Sequence, residues 1–446
     1  MSKFTCGMCL CLLFVGCSPA ADLPKPLRVG SDWPKFGGPN GDGSSPDVGI
    51  KKNWPKTGLK KVWEARLGAG YAPPSVADGR LFHFDGEDKK GVLTARNSET
   101  GKFLWKYEYD CRYEDLYGYD DGPRACPVVD GDRVYIYGVD GFLACLNVAD
   151  GKELWKLDTR KQYRFHQNFF GVVSVPLVVD DLLIVAIGGS PKGPRPADLR
   201  EAKGDGSCLV AFDKKTGAEK YKLSNDLASY SSPMLVTLHK QPTAIYFARS
   251  GLIGFDPATG TERFAYKWRA KSLESVNAAN PVVIGNNIVL SECYEKGTVC
   301  LKVSAEWKVE VVWSDAEADR GEKALMSHWC TPIADGDVFY GSSGRHESEA
   351  DVRCIDAKTG TVKWTVPRTR RTTMTKIDGH LLMLSEDGTL TLAKLNAEKF
   401  EKVAVWDERN NEDLANPCWA PPVVARGLVY LRGKGKLICC ELCEKK

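Results

Sequence analysis

Short runs in which apolar and polar residues alternate recur along most of this chain, and turn residues separate them. Residues 127–137 read Pro-Val-Val-Asp-Gly-Asp-Arg-Val-Tyr-Ile-Tyr, and residues 332–340 and 422–431 repeat the alternation. Alternation over about four to eight residues is typical of half-buried β-strands. An Asp-Gly pair between two such runs supplies the positive φ angles that a tight hairpin needs. The pattern therefore predicts antiparallel strands joined by hairpins.

A second element follows each hairpin and ends on a large aromatic residue. Residues 91–105 end in Thr-Gly-Lys-Phe-Leu-Trp, and residues 141–155 end in Asp-Gly-Lys-Glu-Leu-Trp. In the Asp-x-x-Thr-Gly turn of later copies, the Asp side chain bonds the turn's own backbone and the glycine takes the left-handed conformation. The closing aromatic side chain is large enough to fill the space between neighbouring sheets. The closing residues are Trp63, Trp105, Trp155, Tyr221, Tyr266, Trp313, Trp364 and Trp406.

The repeat has a period of about fifty residues, which is in the range of β-propeller blades. Each unit predicts four antiparallel strands, and the closing residues predict eight blades, with seven as the alternative because residues 374–406 are irregular. The strand that contains Trp63 has no three strands before it, and the last unit lacks a closing strand. The N-terminal strand is therefore expected to join the last blade, pairing two exposed edges. The predicted fold is an all-β, eight-bladed β-propeller of four-stranded antiparallel blades.

The N-terminus predicts export. Lys3 precedes an apolar stretch at residues 6–15, which suits a signal peptide and is too short to span a bilayer. Residues 14–17 resemble a bacterial lipobox without its usual Leu, which would make Cys17 the lipidated residue, and Ser18-Pro19-Ala20 is the alternative cleavage site. We favour the lipoprotein, since a cysteine directly after Val-Gly is otherwise unexplained. The predicted organisation is a signal peptide (1–21), an extended leader (22–58) and the propeller (59–446), in the periplasm or anchored to the outer membrane of a bacterium.

Cysteine use predicts core packing more than a disulfide framework. Of the 16 cysteines, several lie within apolar strand patterns, where a small and weakly polar side chain suits the core. These are Cys145, Cys208, Cys300, Cys354 and Cys439. Cys111 and Cys126 bracket a polar, tyrosine-rich insertion and are the candidates for a disulfide.

The closing segment, in its fullest form Gly-x-Leu-x-Ala-Leu-Asp-x-x-Thr-Gly-Lys-x-Leu-Trp, resembles the pyrroloquinoline-quinone (PQQ) propeller repeat superfamily over essentially the whole mature chain. The leader from Trp33 onwards (Trp-Pro-Lys-Phe-Gly-Gly-Pro-Asn-Gly) is similar to that of PQQ-like propellers of planctomycete bacteria. The superfamily contains quinoprotein dehydrogenases and non-catalytic members such as the outer-membrane assembly lipoprotein BamB. The resemblance implies the fold and leaves the activity open.

The dehydrogenase members of the superfamily share features that can be looked for in this sequence. They hold PQQ and Ca²⁺ on the propeller axis and carry a disulfide between adjacent cysteines in an early blade. The adjacent pair here, Cys439 and Cys440, lies at the extreme C-terminus, and neither a Cys-x-x-Cys-His haem motif nor zinc-type histidine spacing occurs. The resemblance therefore implies no assigned cofactor and no metal, with PQQ and calcium as an alternative that lacks supporting ligand residues.

Candidate ligand-binding residues follow from the geometry of propellers, in which the loops between blades converge near the axis on one face. Aromatic, amide and basic side chains in those loops would form a funnel for a sugar, a quinone or an anionic small molecule. They are Tyr71, Arg124, Asn168, Tyr230, Asn280, His328, Trp329, Arg371 and Trp419. The alternative is that these side chains only cap strand ends and fill the channel. No catalytic residue is predicted.

Three functions are compatible with these features. The first is a non-catalytic envelope scaffold that binds other proteins or a ligand, the second a PQQ-dependent oxidoreductase with divergent ligands, and the third a carbohydrate-binding module that stacks sugars on Tyr230, Trp329 and Trp419. We rank them in that order. With a net charge of +3 and no basic run along the chain, nucleic acid is not an expected partner, and membrane contact is expected only through the lipid.

Overall fold

The alternating segments form eight antiparallel sheets, one for each predicted blade. The computed structural model describes residues 26–165, 168–192, 201–407, 409 and 413–444. The predicted signal peptide, Cys17 included, lies outside the described residues. Two strands precede the first complete blade: β1 (Ser44–Ser45) and β2 (Lys61–Arg66).

The first four blades follow one another along the chain, each with its strands in sequential order. Blade 1 consists of β3 (Ser75–Ala77), β4 (Arg80–Glu87), β5 (Lys90–Asn97) and β6 (Phe103–Asp110). Blade 2 consists of β7 (Val128–Asp130), β8 (Arg133–Tyr137), β9 (Phe142–Asn147) and β10 (Glu153–Asp158), followed by the short helix α1 (Thr159–Tyr163). Blade 3 consists of β11 (Leu177–Val179), β12 (Leu182–Ala186), β13 (Leu209–Asp213) and β14 (Glu219–Leu223). Blade 4 consists of β15 (Met234–Leu238), β16 (Gln241–Phe247), β17 (Gly251–Phe255) and β18 (Glu262–Lys267).

The remaining blades complete the ring. Blade 5 consists of β19 (Val282–Ile284), β20 (Asn287–Glu292), β21 (Gly297–Val303) and β22 (Val309–Ser314), followed by a 3₁₀ turn (Arg320–Glu322). Blade 6 consists of β23 (Ile333–Asp335), β24 (Val338–Ser343), β25 (Asp351–Asp356) and β26 (Val362–Val366). Blade 7 consists of β27 (Thr372–Ile377), β28 (His380–Ser385), β29 (Leu390–Lys394) and β30 (Glu401–Trp406). Blade 8 contains β31 (Val423–Ala425), β32 (Leu428–Gly433) and β33 (Lys436–Glu441).

The ring closes as the sequence predicts, because β2 pairs antiparallel with β33 and supplies the fourth strand of blade 8. The predicted count of eight blades is therefore confirmed, and seven is excluded. Arg432 on β32 strengthens this seam, since its buried guanidinium donates to the carbonyls of Gly70 and Ala72 before blade 1 and of Phe84 within it. Within the described residues, no helix is both long and apolar enough to cross a membrane.

The closing aromatic residues join each blade to the next. In every blade the pairing of the third and fourth strands carries a bulge beside the closing position, and a bulge of this kind re-aims the side chain that follows it. Trp105, for example, donates its indole N–H to Val148 O in the turn of blade 2. Gly151 of that turn has φ +73°, and a Cβ there would lie 2.4 Å from the Trp105 ring. The turn therefore needs glycine for its conformation and for the indole above it.

The cores lie between blades. One cluster joins Phe84 and Leu93 of blade 1 to Ile136 and Leu146 of blade 2, all of them inaccessible to solvent. The cysteines that the sequence assigned to the core are also fully buried, which confirms that prediction: Cys145, Cys208, Cys300, Cys354 and Cys439. Within the described residues, neighbouring sheets therefore share their cores and stabilise one another.

Candidate functional site

The loops between blades surround a cavity of about 250 Å³ on the propeller axis. Every junction contributes to its wall, because each of these loops leads into an inner strand, and the inner strands ring the axis. All of the predicted binding residues except Asn168 line it: Tyr71, Arg124, Tyr230, Asn280, His328, Trp329, Arg371 and Trp419. The sequence did not single out several other lining residues: Tyr119, Phe170, Tyr294 and the leader residues Trp33, Phe36 and Gly43. Of these, Tyr119 belongs to the tyrosine-rich insertion, and Trp33 and Phe36 lie within the leader motif that is similar to that of PQQ-like propellers.

The leader forms the floor of this cavity. Trp33 pairs with Val76 of β3, and Pro34 accepts a hydrogen bond from Val129 N of β7. At its other end Gly43 accepts a hydrogen bond from Lys376 N, and β1 runs parallel to β27. The segment therefore crosses the channel from blades 1 and 2 to blade 7. The channel is closed below and forms a cup.

Glycine allows the leader to fit into the channel. Gly43 has φ +77°, and a Cβ on it would lie 2.4 Å from Ile333 Cδ1 of blade 6. A Cβ on Gly37, at φ +74°, would meet the backbone of Gly41 at 2.7 Å. Residues 33–45 of the predicted leader are thus packed inside the ring.

Aromatic rings line most of the upper wall of the cup. The ring centroids of Tyr71 and Trp419 are 4.5 Å apart, and those of Trp419 and Trp329 are 5.0 Å apart. On the other side Tyr119 lies 6.0 Å from Trp419 and 5.9 Å from Phe170. These separations and tilted angles are those of favourable aromatic pairs. The contacts between these rings therefore hold them in position around the cup.

Arg371 is neutralised in place. Its guanidinium forms a bidentate ion pair with Glu386, with Nε at 3.0 Å from Oε1 and Nη2 at 2.5 Å from Oε2. The guanidinium also lies over the Trp329 ring at 4.5 Å, and Trp419 donates its indole N–H to Glu386. Burial acts to raise the pKa of the Glu386 carboxyl, but the hydrogen bonds from Arg371 and Trp419 outweigh it and hold that pKa below its ordinary value. The pair is a buried, hydrogen-bonded unit.

Arg124 is neutralised in the same way. Its Nη2 lies 2.6 Å from Asp115 Oδ2, and the same nitrogen donates to Asp120 O. The Asp115 side chain is inaccessible to solvent, and the Arg124 side chain is 7% exposed. The guanidinium also contacts the Tyr71 ring at 5.8 Å. The two cations predicted to attract an anion are therefore both paired with carboxylates of the protein.

Three further titratable groups at the cup are held in their neutral forms. Burial and the nearby Arg371 lower the pKa of His328 to about 3, so its imidazole is uncharged at neutral pH. Burial raises the pKa of Tyr71 to about 12. The hydroxyl of Tyr230 accepts a hydrogen bond from Phe170 N, and burial raises its pKa well above the ordinary value. None of these groups titrates near neutral pH.

Asn280 presents a hydrogen-bond donor at the wall of the cup. Its Oδ1 accepts from Ser232 N, which fixes the orientation of the amide, and its backbone N–H donates to Thr331. Its Nδ2 has no hydrogen-bond partner within the described residues. Asn280 leads into blade 5 and Tyr71 leads into blade 1. The two residues therefore face each other across the eight-bladed ring.

Asn168 does not line the cup. Its Nδ2 donates to Ala228 O, and its Oδ1 accepts from Arg249, so it bridges two loops inside the protein. The residue is buried. His166, two residues earlier in the chain, lies outside the described residues.

Cys111 and Cys126 are both free thiols in the structure, so the candidate disulfide is not formed. The two side chains are buried in different core clusters, Cys111 between blades 1 and 2 and Cys126 between blades 2 and 3. Each thiol packs as a small apolar side chain, as at the other core cysteines.

The residues present do not fit PQQ with calcium. A calcium site needs six to eight oxygen ligands, carboxylates among them. Among the described residues, the cup wall carries one carboxylate, the exposed Glu274, and no group of three or more acidic, histidine or cysteine side chains is placed to hold a metal. The two arginines that could bind the cofactor's carboxylates are already paired.

Comparison with protein families gives a match to the family described as outer membrane protein assembly factor BamB, over residues 89–366. That range is more than half of the chain. A curated relative, quinohemoprotein alcohol dehydrogenase ADH-IIG of Pseudomonas putida, is 24% identical over 173 residues, which are 38% of this chain and 22% of that protein. A second one, quinoprotein alcohol dehydrogenase PedH of the same species, is 27% identical over 30% of this chain and 22% of its own length. The chain thus spans about a fifth of the curated relatives it matches.

Solved structures share the fold at low sequence identity. BamB from Moraxella catarrhalis has a TM-score of 0.54 and 14% identity, covering 87% of this chain and 99% of that one. Quinohemoprotein alcohol dehydrogenase from Comamonas testosteroni has a TM-score of 0.60 and 13% identity, covering 93% of this chain and 81% of that one. At such identities the likeness concerns the propeller alone.

Proposed function

The chain belongs to the outer membrane protein assembly factor BamB family, and on that premise we propose that it is a non-catalytic propeller of the cell envelope that serves as a binding scaffold. In this proposal the ring of blades is a rigid support, and the loops around the axial cup bind partner proteins or a ligand. Loops carried by a rigid scaffold are where binding residues concentrate.

One observation carries the proposal: both arginines on the cup wall are paired with carboxylates of the protein. Catalysis by acid and base needs a group that titrates near the working pH and can reach the substrate. Here Arg371 and Arg124 are each tied to a buried carboxylate, and His328 is neutral. The cup therefore offers a preformed, mostly apolar surface, which supports binding more than chemistry.

The exposed rim supports protein contact. Tyr119 lines the cup, Tyr117 packs against Phe170 of its wall, and Leu116 precedes Tyr117 in the chain. Leu116, Tyr117 and Tyr119 are 68%, 57% and 58% exposed. Contiguous exposed apolar and aromatic side chains mark interaction surfaces, and tyrosine is enriched in protein interfaces. The rim lies on the side of the propeller opposite the Asp-x-x-Thr-Gly turns.

A PQQ-dependent oxidoreductase is the second candidate, and the sequence similarity to the Pseudomonas putida dehydrogenases favours it. It is placed second because the cup lacks a calcium ligand set among the described residues. Native mass spectrometry and an absorption spectrum of protein incubated with PQQ and Ca²⁺ separate the two candidates, with a quinoprotein dehydrogenase as positive control. We expect no retained cofactor. One PQQ and one calcium per chain would overturn the non-catalytic proposal.

Photo-crosslinking tests the scaffold itself. A photoreactive residue at Tyr117 on the rim is expected to give discrete crosslinks to envelope proteins in intact cells. The matched control is the same residue at Lys358, whose side chain is 67% exposed in a turn on the opposite face. Equal crosslinking from both positions, or none from either, would contradict a binding face at the rim.

The cellular location is part of the proposal. Residues 1–21 are proposed to direct export, and Cys17 to carry the lipid anchor, with the leader and propeller at 22–58 and 59–446 outside the cytoplasm. A Cys17→Ser variant is expected to shift from the membrane fraction to the soluble periplasm and to lose labelling by a fatty-acid analogue. Labelling that persists in the variant would refute lipidation at Cys17.

A further inference from the structure

We propose that the axial cup binds a neutral, planar molecule of one or two rings that carries a hydrogen-bond acceptor. This inference rests on the proposed binding function and specifies the ligand class. It excludes anions and sugars, which the sequence left open.

The size of the cup sets the first limit. Its volume of about 250 Å³ falls just below the roughly 300–1,000 Å³ of sites for drug-sized ligands. Because the leader closes the floor with Phe36 and Gly43, a ligand can enter from the mouth and cannot pass through. A ring system of about ten non-hydrogen atoms suits such a blind cup.

The walls set the second limit. Trp419 and Tyr71 stand at one side, and Phe170 and Tyr230 at the other, with ring centroids 5.8 Å apart in the latter pair. Flat conjugated rings gain most from such walls, because offset or edge contacts between aromatic groups add to the burial of apolar surface. Arg371, lying over Trp329, holds that indole in position.

Charge excludes an anionic ligand. An anion would have to break the Arg371–Glu386 or the Arg124–Asp115 pair, leaving a buried carboxylate without its partner. A sugar is disfavoured because its several hydroxyl groups would each need a partner, whereas the polar groups of Arg371, Arg124 and Tyr230 are already engaged.

The Nδ2 of Asn280 is the donor proposed to bind the ligand's acceptor. Because Ser232 N fixes Oδ1, Nδ2 is the end of the amide that remains to donate. A ligand's carbonyl oxygen can accept a hydrogen bond from this donor in place of water. The ligand class is therefore a flat ring with an acceptor at its edge.

Calorimetric titration of the purified protein with 1-indanone and indane tests this directly. The two probes share their rings, and the ketone alone has the acceptor. We expect one site per chain, with indanone binding about fivefold more tightly than indane, as one net hydrogen bond gives. Asn280→Asp keeps an acceptor for Ser232 N and removes the Nδ2 donor, so it should abolish the preference for indanone over indane.

Two further variants locate the site. Trp419→Ala removes a wall and should weaken both probes by roughly tenfold or more. The matched control is Trp155→Phe, a change between blades 2 and 3 and away from the cup, which should leave both affinities unchanged. Thermal unfolding of each variant confirms that it folds.

The outcomes are distinct. No saturable binding of either ring, binding that Trp419→Ala leaves unchanged, or tighter binding of methyl glucoside or indane-2-carboxylate would each overturn the inference. Retention of PQQ with calcium in the separate mass spectrometry experiment would instead overturn the non-catalytic proposal. The two experiments therefore distinguish failure of the ligand inference from failure of the non-catalytic proposal.

Discussion

Replacement of Arg371 by methionine tests whether the cup's charges are truly balanced within the protein. The Glu386 side chain is 2% exposed and the Arg371 side chain 18% exposed, and three side-chain hydrogen bonds join them. Methionine fills much of the same space between Trp329 and Trp419 but carries no charge. The variant therefore leaves a buried carboxylate with hydrogen bonds from Trp419 and backbone N–H and no cation.

Breaking one half of a buried ion pair costs about 3–5 kcal/mol. We expect about 3 kcal/mol at pH 7.5, the lower end, because Arg371 keeps some exposure and Trp419 continues to donate to Glu386. In the natural chain the pKa of Glu386 is lowered below its ordinary value of 4.5, so the pair stabilises the fold above about that pH and the contribution is lost as pH falls through the lowered pKa.

Without Arg371 the shift of the Glu386 pKa reverses its direction. Burial then dominates and raises the pKa of Glu386 above 4.5. A group whose folded-state pKa lies above its unfolded-state pKa stabilises the fold at low pH, and this stabilisation is lost as pH rises through the folded-state pKa. The deficit of the variant should therefore be largest at neutral pH and shrink as pH falls towards 4.5.

Urea unfolding of both proteins at pH 7.5 and pH 5, followed by fluorescence, measures this difference. The double variant Arg371→Met with Glu386→Gln is the control, since it removes the uncompensated charge and should recover most of the loss. A single variant as stable as the natural chain at pH 7.5, or a double variant less stable than the single one, would refute the account of the pair.

Three further predictions concern the fold and the cup. Gly151→Ala should lower the unfolding free energy by more than the control Gly131→Ala, because both glycines have positive φ but only Gly151 lies under the Trp105 ring. Gly131→Ala alone should cost roughly 1–2 kcal/mol. Equal losses of unfolding free energy in urea titrations would contradict the indole contact. Arg432→Met should cost about 3 kcal/mol, since it leaves three buried carbonyls at the ring seam without their donor, and a midpoint unchanged in the same titrations would argue against its role in closure. The His328 imidazole should show no NMR titration between pH 5 and 8, because its pKa of about 3 keeps it neutral. In the unfolded chain the same imidazole takes up a proton below about pH 6.5, so acid destabilises the fold between about pH 6.5 and pH 3. His328→Phe should therefore make the unfolding free energy less sensitive to acid over that range.

Much of the fold could be predicted because its determinants are local. Alternation, Asp-Gly hairpins and the closing tryptophans act within one blade or between neighbours, and they repeat, so each copy confirms the others. Eight blades and closure by the strand that contains Trp63 followed from the same count. Most of the predicted binding residues line the cup for a related reason: the loops between blades converge on the axis in any propeller.

The remaining features depend on contacts that have no periodic pattern. Asn168 occupies an equivalent loop, yet it turns inward to Ala228 and Arg249 because those partners lie on neighbouring loops of the fold. The sequence also gave no reason to single out Glu386, which lies on the next hairpin of blade 7 and neutralises Arg371. Pairing of Cys111 and Cys126 rested on sequence spacing, and the structure buries them on opposite sides of blade 2.

The sequence by itself thus determined the repeat, the blade count and the ring closure, because short-range patterning and turn chemistry specify each sheet. The tertiary structure alone decided that the leader crosses the channel to pair with β27, that the cup is blind, and that its cations are already paired. The pairing of the leader depends on segments hundreds of residues apart. The ion pairs depend on loop conformations that bring together residues 9 and 15 positions apart, and on burial, which removes water and makes each unpaired charge costly.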